Sequence, residues 1–205
     1  MPEERVTFPS TDATIEGRVS TVEDPEHCVV MAHPHPQMGG DMDNNVVRLV
    51  SHWLNRRNIA TLRFNFRGMG ASTGSYSDGK LEPHDLLAAM GEARRWFPNA
   101  MQSICGYSFG AWICWKLAAA GEIQCPVTLI SPAPNLMPFD ESPTLLPVHV
   151  FMGGADTLIP LARVQSFAKR LGSNARLTIH QQADHFWINR EAWLAERIAP
   201  FVTGA

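Results

Sequence analysis

No stretch of this chain approaches the ~20 consecutive apolar residues that a membrane-spanning helix needs. The opening residues, Met1-Pro2-Glu3-Glu4-Arg5, lack the apolar stretch of a secretion signal. A cytoplasmic protein with no membrane partner is therefore expected. Charge of one sign is missing too. The 17 Lys and Arg stand against 20 Asp and Glu, a formal −3, and no basic run offers a grip on nucleic acid. The expected partner is a small molecule; a homo-oligomer is not legible either way. Cysteine is sparse: Cys28, Cys105, Cys114 and Cys125 form no C-x-x-C pair, and each lies in an apolar segment. They read as reduced core residues rather than redox or metal groups. Repeats, linkers and low-complexity tracts are absent, with the 15 Gly and 15 Pro scattered.

What is present suits a packed core. Apolar residues make up 45% of the 205 and charged residues 18%, which excludes disorder. A chain of this length is expected to form one domain over residues 1–205. Folding would leave roughly 9,500 Å² of about 33,000 Å² exposed, a burial that needs neither disulfides nor a structural metal.

Short β-branched runs alternate with amphipathic segments. Val6–Phe8 and Thr14–Ser20 read as a starting hairpin. Cys28–Ala32 is continuously apolar, as in a strand buried on both faces. Ile59–Phe66, Gln102–Gly106, Val127–Ile130, Val148–Met152 and Arg176–His180 read as further strands. Apolar residues at helical spacing mark Asn45–Arg57, Pro83–Phe97, Phe109–Ala120, Leu161–Leu171 and Glu191–Phe201. Strands alternating with helices predict an α/β fold. Its sheet would be mostly parallel, with about eight strands, helices on both faces and an antiparallel pair at one edge.

In such sheets, reactive groups gather beyond the carboxyl ends of the strands. Gly106-Tyr107-Ser108-Phe109-Gly110 joins a strand to a helix there. A G-x-S-x-G turn forces the serine into a tight bend that exposes Oγ at a helix N-terminus. The pattern arises by chance about 0.06 times in a chain this long. A serine hydroxyl needs a base. His185 follows the last strand, at the same edge of the sheet as Ser108. His52 and His84 lie in helical patterns, His149 and His180 in strands, and His27 at the opposite end. The imidazole needs an acid to fix its tautomer. Asp156 follows a strand in Gly153-Gly154-Ala155-Asp156, where the glycines allow a sharp turn; Asp140 and Glu141 are weaker candidates. Asp184, adjacent to the base, is better placed to brace its loop.

The order Ser108, Asp156, His185 matches that of α/β hydrolases. The chain resembles that superfamily over nearly its full length. It is closest to the small lidless bacterial branch near dienelactone hydrolases. The residues that carry the resemblance are Gly106–Gly110, Gly153–Asp156, Asp184-His185-Phe186 and His33–Gly40. It implies a serine nucleophile, an aspartate and a histidine base at the positions already reached. One oxyanion donor is expected from the Phe109 amide. The second should come from the loop His33-Pro34-His35-Pro36-Gln37-Met38-Gly39-Gly40. Its prolines lack an N–H, which makes His35 the first suitable donor, with Gln37 or Met38 as substitutes.

Two other readings were weighed. His33 and His35 point the same way on an extended chain, yet no carboxylate or cysteine cluster joins them, and no metal is expected. Gly68-Met69-Gly70-Ala71-Ser72-Thr73-Gly74 lacks the third glycine of a dinucleotide fingerprint at Thr73, and no cofactor is expected. A lid is not expected either, because residues 131–147 are short and broken by Pro132, Pro134, Pro138, Pro143 and Pro147. Met38, Trp112, Pro134, Leu158, Phe186 and Trp187 are candidate walls of an open substrate pocket. The expected activity is that of a serine hydrolase, a carboxylesterase acting on small soluble esters. A peptidase or thioesterase with the same triad, or a non-catalytic binding protein, are the alternatives.

Overall fold

The computed structural model describes residues 3–204. One sheet of eight strands runs through it, in the order β1-β2-β4-β3-β5-β6-β7-β8. The strands are β1 (Glu3–Ser10), β2 (Ala13–Ser20), β3 (His27–Ala32), β4 (Ala60–Phe64), β5 (Met101–Tyr107), β6 (Val127–Ile130), β7 (Val148–Gly153) and β8 (Ala175–His180). Pairing is antiparallel for β1 with β2 and for β2 with β4, and parallel from β4 through β8. The helices are α1 (Asn45–Asn55), α2 (Glu82–Trp96), α3 (Phe109–Ala119), α4 (Leu161–Arg170) and α5 (Glu191–Thr203). This is the lidless α/β-hydrolase fold that the sequence predicted, strand for strand.

Alternate residues of a strand face opposite sides. On β3, Val29 and Met31 join one core with Val46, Val47 and Val50 of α1 and Leu194 and Ile198 of α5. Cys28, Val30 and Ala32 join the other, with α2, α3 and α4. Helix α3 is buried almost all round, from Phe109 to Ala118, so it carries no polar stripe. The thiols of Cys28 and Cys125 sit in this packing, and burial pushes them up to about 12 and about 11. Burial raises those of Cys105 and Cys114 as well. The molecule exposes 9116 Å², close to the area expected for its mass. Among the described residues no helix is long and apolar enough to cross a membrane.

Two local departures have clear causes. Strand β4 ends at Phe64 rather than Phe66: the Asn65 amide still donates to the Glu16 carbonyl of β2 at 3.0 Å, and the chain departs from the ladder at Phe66. The Asn65 side chain accepts from the Met42 amide and donates to Glu16, and the Phe66 amide donates to His33 Nε2 at 3.0 Å. A single 3-10 turn, Pro36–Met38, interrupts the loop after β3, whose residues carry no periodic signal.

The glycine-rich turn after β4 is held by a buried ion pair. Arg67 Nε and Nη2 donate to the two oxygens of Asp85 at 3.0 and 2.8 Å, and Ser10 Oγ donates to the same carboxylate at 2.7 Å. Both ionic side chains are at most 1% exposed. Removing Asp85 would leave the buried guanidinium only the exposed Asp12, whose Oδ1 accepts from Arg67 Nη1 at 2.9 Å. Asp85→Ala is thus expected to lower the unfolding free energy by about 3–5 kcal/mol in urea titration, and a loss under 1 kcal/mol would contradict this account of the turn.

Candidate active site

The strand order reverses at β3. The chain runs outward to β4, then returns to place β5 on the other side of β3. Ala32, the last residue of β3, pairs with Gly106 of β5. The two loops leaving these strands therefore flank one crevice, where open α/β sheets bind ligands. Ser108 caps β5 there at φ 53 and ψ −108, a conformation strained for a residue with a Cβ. Its amide donates to the Ile130 carbonyl at 2.9 Å, which fixes the bend. Both flanking glycines are obligatory. A Cβ on Gly106 would strike the Gly110 carbonyl, and one on Gly110 would strike the Ala32 and His33 carbonyls.

Asp156 lies after β7, and its carboxylate is fully buried. Oδ1 accepts from the Leu158 and Ile159 amides at 2.8 and 2.9 Å, which leaves Oδ2 to His185 Nδ1 at 2.7 Å. His185 Nε2 stands 3.2 Å from Ser108 Oγ. An ionised carboxylate only accepts. His185 Nδ1 must then carry the proton, and Nε2 is free to accept from the serine hydroxyl. The sequence-predicted trio is thus in one hydrogen-bonded line.

The histidine loop is anchored from several sides. Asp184 Oδ1 accepts from the Phe186 and Trp187 amides at 3.0 Å each, the bracing role expected of it. Tyr107 Oη donates to the His185 carbonyl at 2.8 Å, and Asn45 Nδ2 donates to the Phe186 carbonyl at 2.9 Å. Nothing in the sequence marked Tyr107 or Asn45 for this work. Asp140 and Glu141 serve elsewhere. Asp140 accepts from the Ser142 amide, and Glu141 pairs with Arg163 and Arg170.

The loop after β3 lies against the serine turn, with the His35 and Phe109 rings 5.1 Å apart. The Phe109 amide, first in α3, has no intrahelical carbonyl to bind. Among the described residues no backbone carbonyl accepts from the His35 amide, whereas the Met38 amide is taken by the His35 carbonyl at 3.0 Å. That excludes Met38 as the substitute donor. His33 uses both ring nitrogens: Nδ1 donates to the Pro34 carbonyl at 2.6 Å, and Nε2 accepts from the Phe66 amide at 3.0 Å. No lone pair of His33 remains for a metal. Burial lowers its pKa to about 4, so the ring is a neutral strut.

The profile of the dienelactone hydrolase family matches residues 86–198. The chain belongs to that family. An uncharacterized protein of Rickettsia prowazekii is 31% identical to it over 194 residues, which is 89% of this chain and 82% of the relative. Among solved structures, an α/β serine hydrolase homologue from Coxiella burnetii superposes with a TM-score of 0.88 at 27% identity, covering 97% of both chains. An α/β serine hydrolase without a lid, from Xanthomonas campestris, gives 0.87 at 26% identity over 98% of this chain and 94% of its own. Family and fold together make the protein a hydrolase.

As in that lidless neighbour, no helix among the described residues covers the site of this dienelactone hydrolase family member. Residues 131–147 run as irregular chain, tied down by Trp112 Nε1 to the Pro138 carbonyl at 2.9 Å and Trp115 Nε1 to the Asp140 carbonyl at 2.6 Å. Met38, Leu158 and Phe186 stand exposed on loops after β3, β7 and β8. Three other wall candidates need correcting. Trp187 is fully buried, because its positive φ of 57° turns the indole inward onto Trp193 and Ser131 Oγ. Trp112 is 6% exposed and braces the 131–147 loop. Pro134 is buried, its carbonyl accepting from Arg163. A cleft of about 690 Å³ bordered by His27, His149, Arg176 and Pro200 opens at the amino ends of the strands, the wrong end for this chemistry.

Two outcomes follow from this packing. Gly110→Ala pushes a methyl into main-chain carbonyls and is expected to cost about 1–3 kcal/mol in thermal unfolding, together with loss of any activity. Gly91→Ala, in open space on α2, should instead stabilise by about 0.5–1 kcal/mol. Acid should also weaken the fold. His33 rests near pKa 4 when folded, against 6.5 when unfolded. Its contribution is complete above pH 6.5 and is lost as pH falls towards 4, at about 1.4 kcal/mol per pH unit. Urea titrations at pH 7, 6 and 5 should show a shallower pH slope for His33→Asn than for wild type.

Proposed function

We propose that this hydrolase cleaves carboxylic esters of small soluble molecules through an acyl-enzyme on Ser108. The observation that carries the reading is the unbroken chain from buried Asp156 through His185 to Ser108 Oγ. In this reading Oγ attacks the acyl carbon while its proton passes to His185 Nε2. The imidazolium, stabilised by Asp156, then gives that proton to the departing alkoxide. Water attacks the acyl-enzyme next, losing its proton to His185, which hands it to Ser108 Oγ as the C–O bond breaks and the acid departs. The developing oxyanion is held by the Phe109 and His35 amides, and the positive pole of α3 adds to that field. No cofactor enters any step. The open rim favours ester over bulky or lipid-dispersed substrates.

A fluorophosphonate probe tests the nucleophile directly. Wild type should be labelled, and Ser108→Ala should not. On p-nitrophenyl esters the same variant should lose roughly 10⁴–10⁶ in turnover with its circular dichroism unchanged. A loss below tenfold would exclude Ser108. Faster turnover of acyl-CoAs or aminoacyl amides than of esters would overturn the substrate class while keeping the triad.

A further inference from the structure

The segment that follows the glycine-rich turn, from Ser75 to Leu81, has no part in the chemistry above, yet it is firmly built. Ser77 donates through its amide and its hydroxyl to the two oxygens of Glu82, at 2.7 and 2.6 Å, and Glu82 is wholly buried. Gly79, at φ 73, lies so close to the Trp112 ring that a Cβ would strike it. Lys116 Nζ donates to the Gly79 carbonyl at 2.6 Å from above that ring. Between these anchors Asp78 is held at φ 58, in the left-handed region that costs a residue with a side chain. This segment presents a short chain of bonds to the loop after β3. Tyr76 Oη donates to Asp78 Oδ1 at 3.1 Å and lies 3.2 Å from His35 Nε2.

Counting protons fixes the direction. The phenol has one proton, and Asp78 takes it. Tyr76 Oη can then only accept from His35, which must carry its proton on Nε2. That leaves His35 Nδ1 bare, and this nitrogen is buried with no hydrogen-bond partner. A buried unpaired nitrogen costs about 1–3 kcal/mol, so an unrestrained ring would turn to hydrate it. The phenol holds it in place. Tyr76 also packs on both residues whose amides are the proposed oxyanion donors, its ring 5.3 Å from that of His35 and 5.8 Å from that of Phe109. Burial, with Asp78 beside it, pushes the phenol up to about 12, so it keeps its proton at neutral pH.

We propose that Asp78 and Tyr76 are positioning residues that lock the His35 ring, and through it the His35 amide, in the orientation that receives the oxyanion. The inference rests on the serine-hydrolase reading above. The phenol does not touch substrate; it fixes a donor whose value lies in being pre-aimed.

Tyr76→Phe keeps the ring packing and deletes the acceptor. It should lower kcat about 10–100-fold on p-nitrophenyl acetate while KM stays within about threefold, as for an interaction made only in the transition state. Binding of phenylboronic acid, which mimics the tetrahedral state, should weaken by a similar factor. Asp78→Asn retains an acceptor and tolerates the left-handed backbone, so it should keep most activity. Asp78→Gly should fall towards Tyr76→Phe, and the double variant should be no worse than Tyr76→Phe alone. Nitrogen-15 NMR should report the Nε2–H tautomer for His35 in wild type and a mixture in Tyr76→Phe. An Nδ1–H tautomer in wild type, an unchanged kcat in Tyr76→Phe, or a parallel collapse of kcat, KM and melting temperature would overturn the relay. A wild type that neither labels nor hydrolyses esters would strike the hydrolase reading alone, and the tautomer would still judge the relay.

Discussion

Everything at the carboxyl edge of the sheet depends on how closely α3 approaches β3. Gly110 sits against the Ala32 and His33 carbonyls, and Gly106 against the Gly110 carbonyl. No side chain fits in either gap. That contact forces Ser108 into its strained bend, points its hydroxyl out of the sheet, and brings the first amides of α3 alongside the loop that follows β3. The strain is offset by the packing of α3, which is buried on nearly every side. The helix cannot slide away to relax the turn without opening the core between β3, β5 and β6.

Around that fixed point the other loops are tied by short bonds rather than by bulk. Gly153 lets the end of β7 press on the Ala183 and Asp184 carbonyls, and the Ala155 amide donates to the Ala183 carbonyl at 2.9 Å. The Asp156 loop and the His185 loop are thus joined to each other before their side chains meet. His33 performs the same service on the other flank, bonding its own loop to the end of β4. Each of these struts is neutral or internally paired, so the crevice gains rigidity without stray charge near the serine.

Much of this was legible in the sequence because it is written in periodicity and in glycine. The β3 run from Cys28 to Ala32 has no polar residue, and only a strand buried on both faces needs that pattern. Gly106 and Gly110 bracket Ser108 for steric reasons that spacing alone conveys. Asp156 and His185 could be read because each ends a strand at the proper edge. What stayed hidden are contacts between residues far apart in the chain and on no periodic element. Tyr107 bonds the His185 carbonyl across the sheet, and Asn45 reaches Phe186 from the start of α1. Trp187 read as a pocket wall because it neighbours the base; one left-handed residue reversed its direction, and no local motif announces that reversal. The exposed positions of Met38, Leu158 and Phe186 were legible only because their loops, not their side chains, were predictable.

The four thiols have a practical bearing on the chemistry of the surface. Cys28, Cys105 and Cys114 are enclosed by packed hydrocarbon and Cys125 is half-buried, and burial raises all four thiols, so none offers a ready sulfur anion to an oxidant or alkylating agent. Disulfide reagents should therefore leave the thiols of the folded protein untouched, whereas peroxide would still reach the exposed thioethers of Met38 and Met101. An acylating electrophile in solution would meet an oxygen at residue 108 with no sulfur rival.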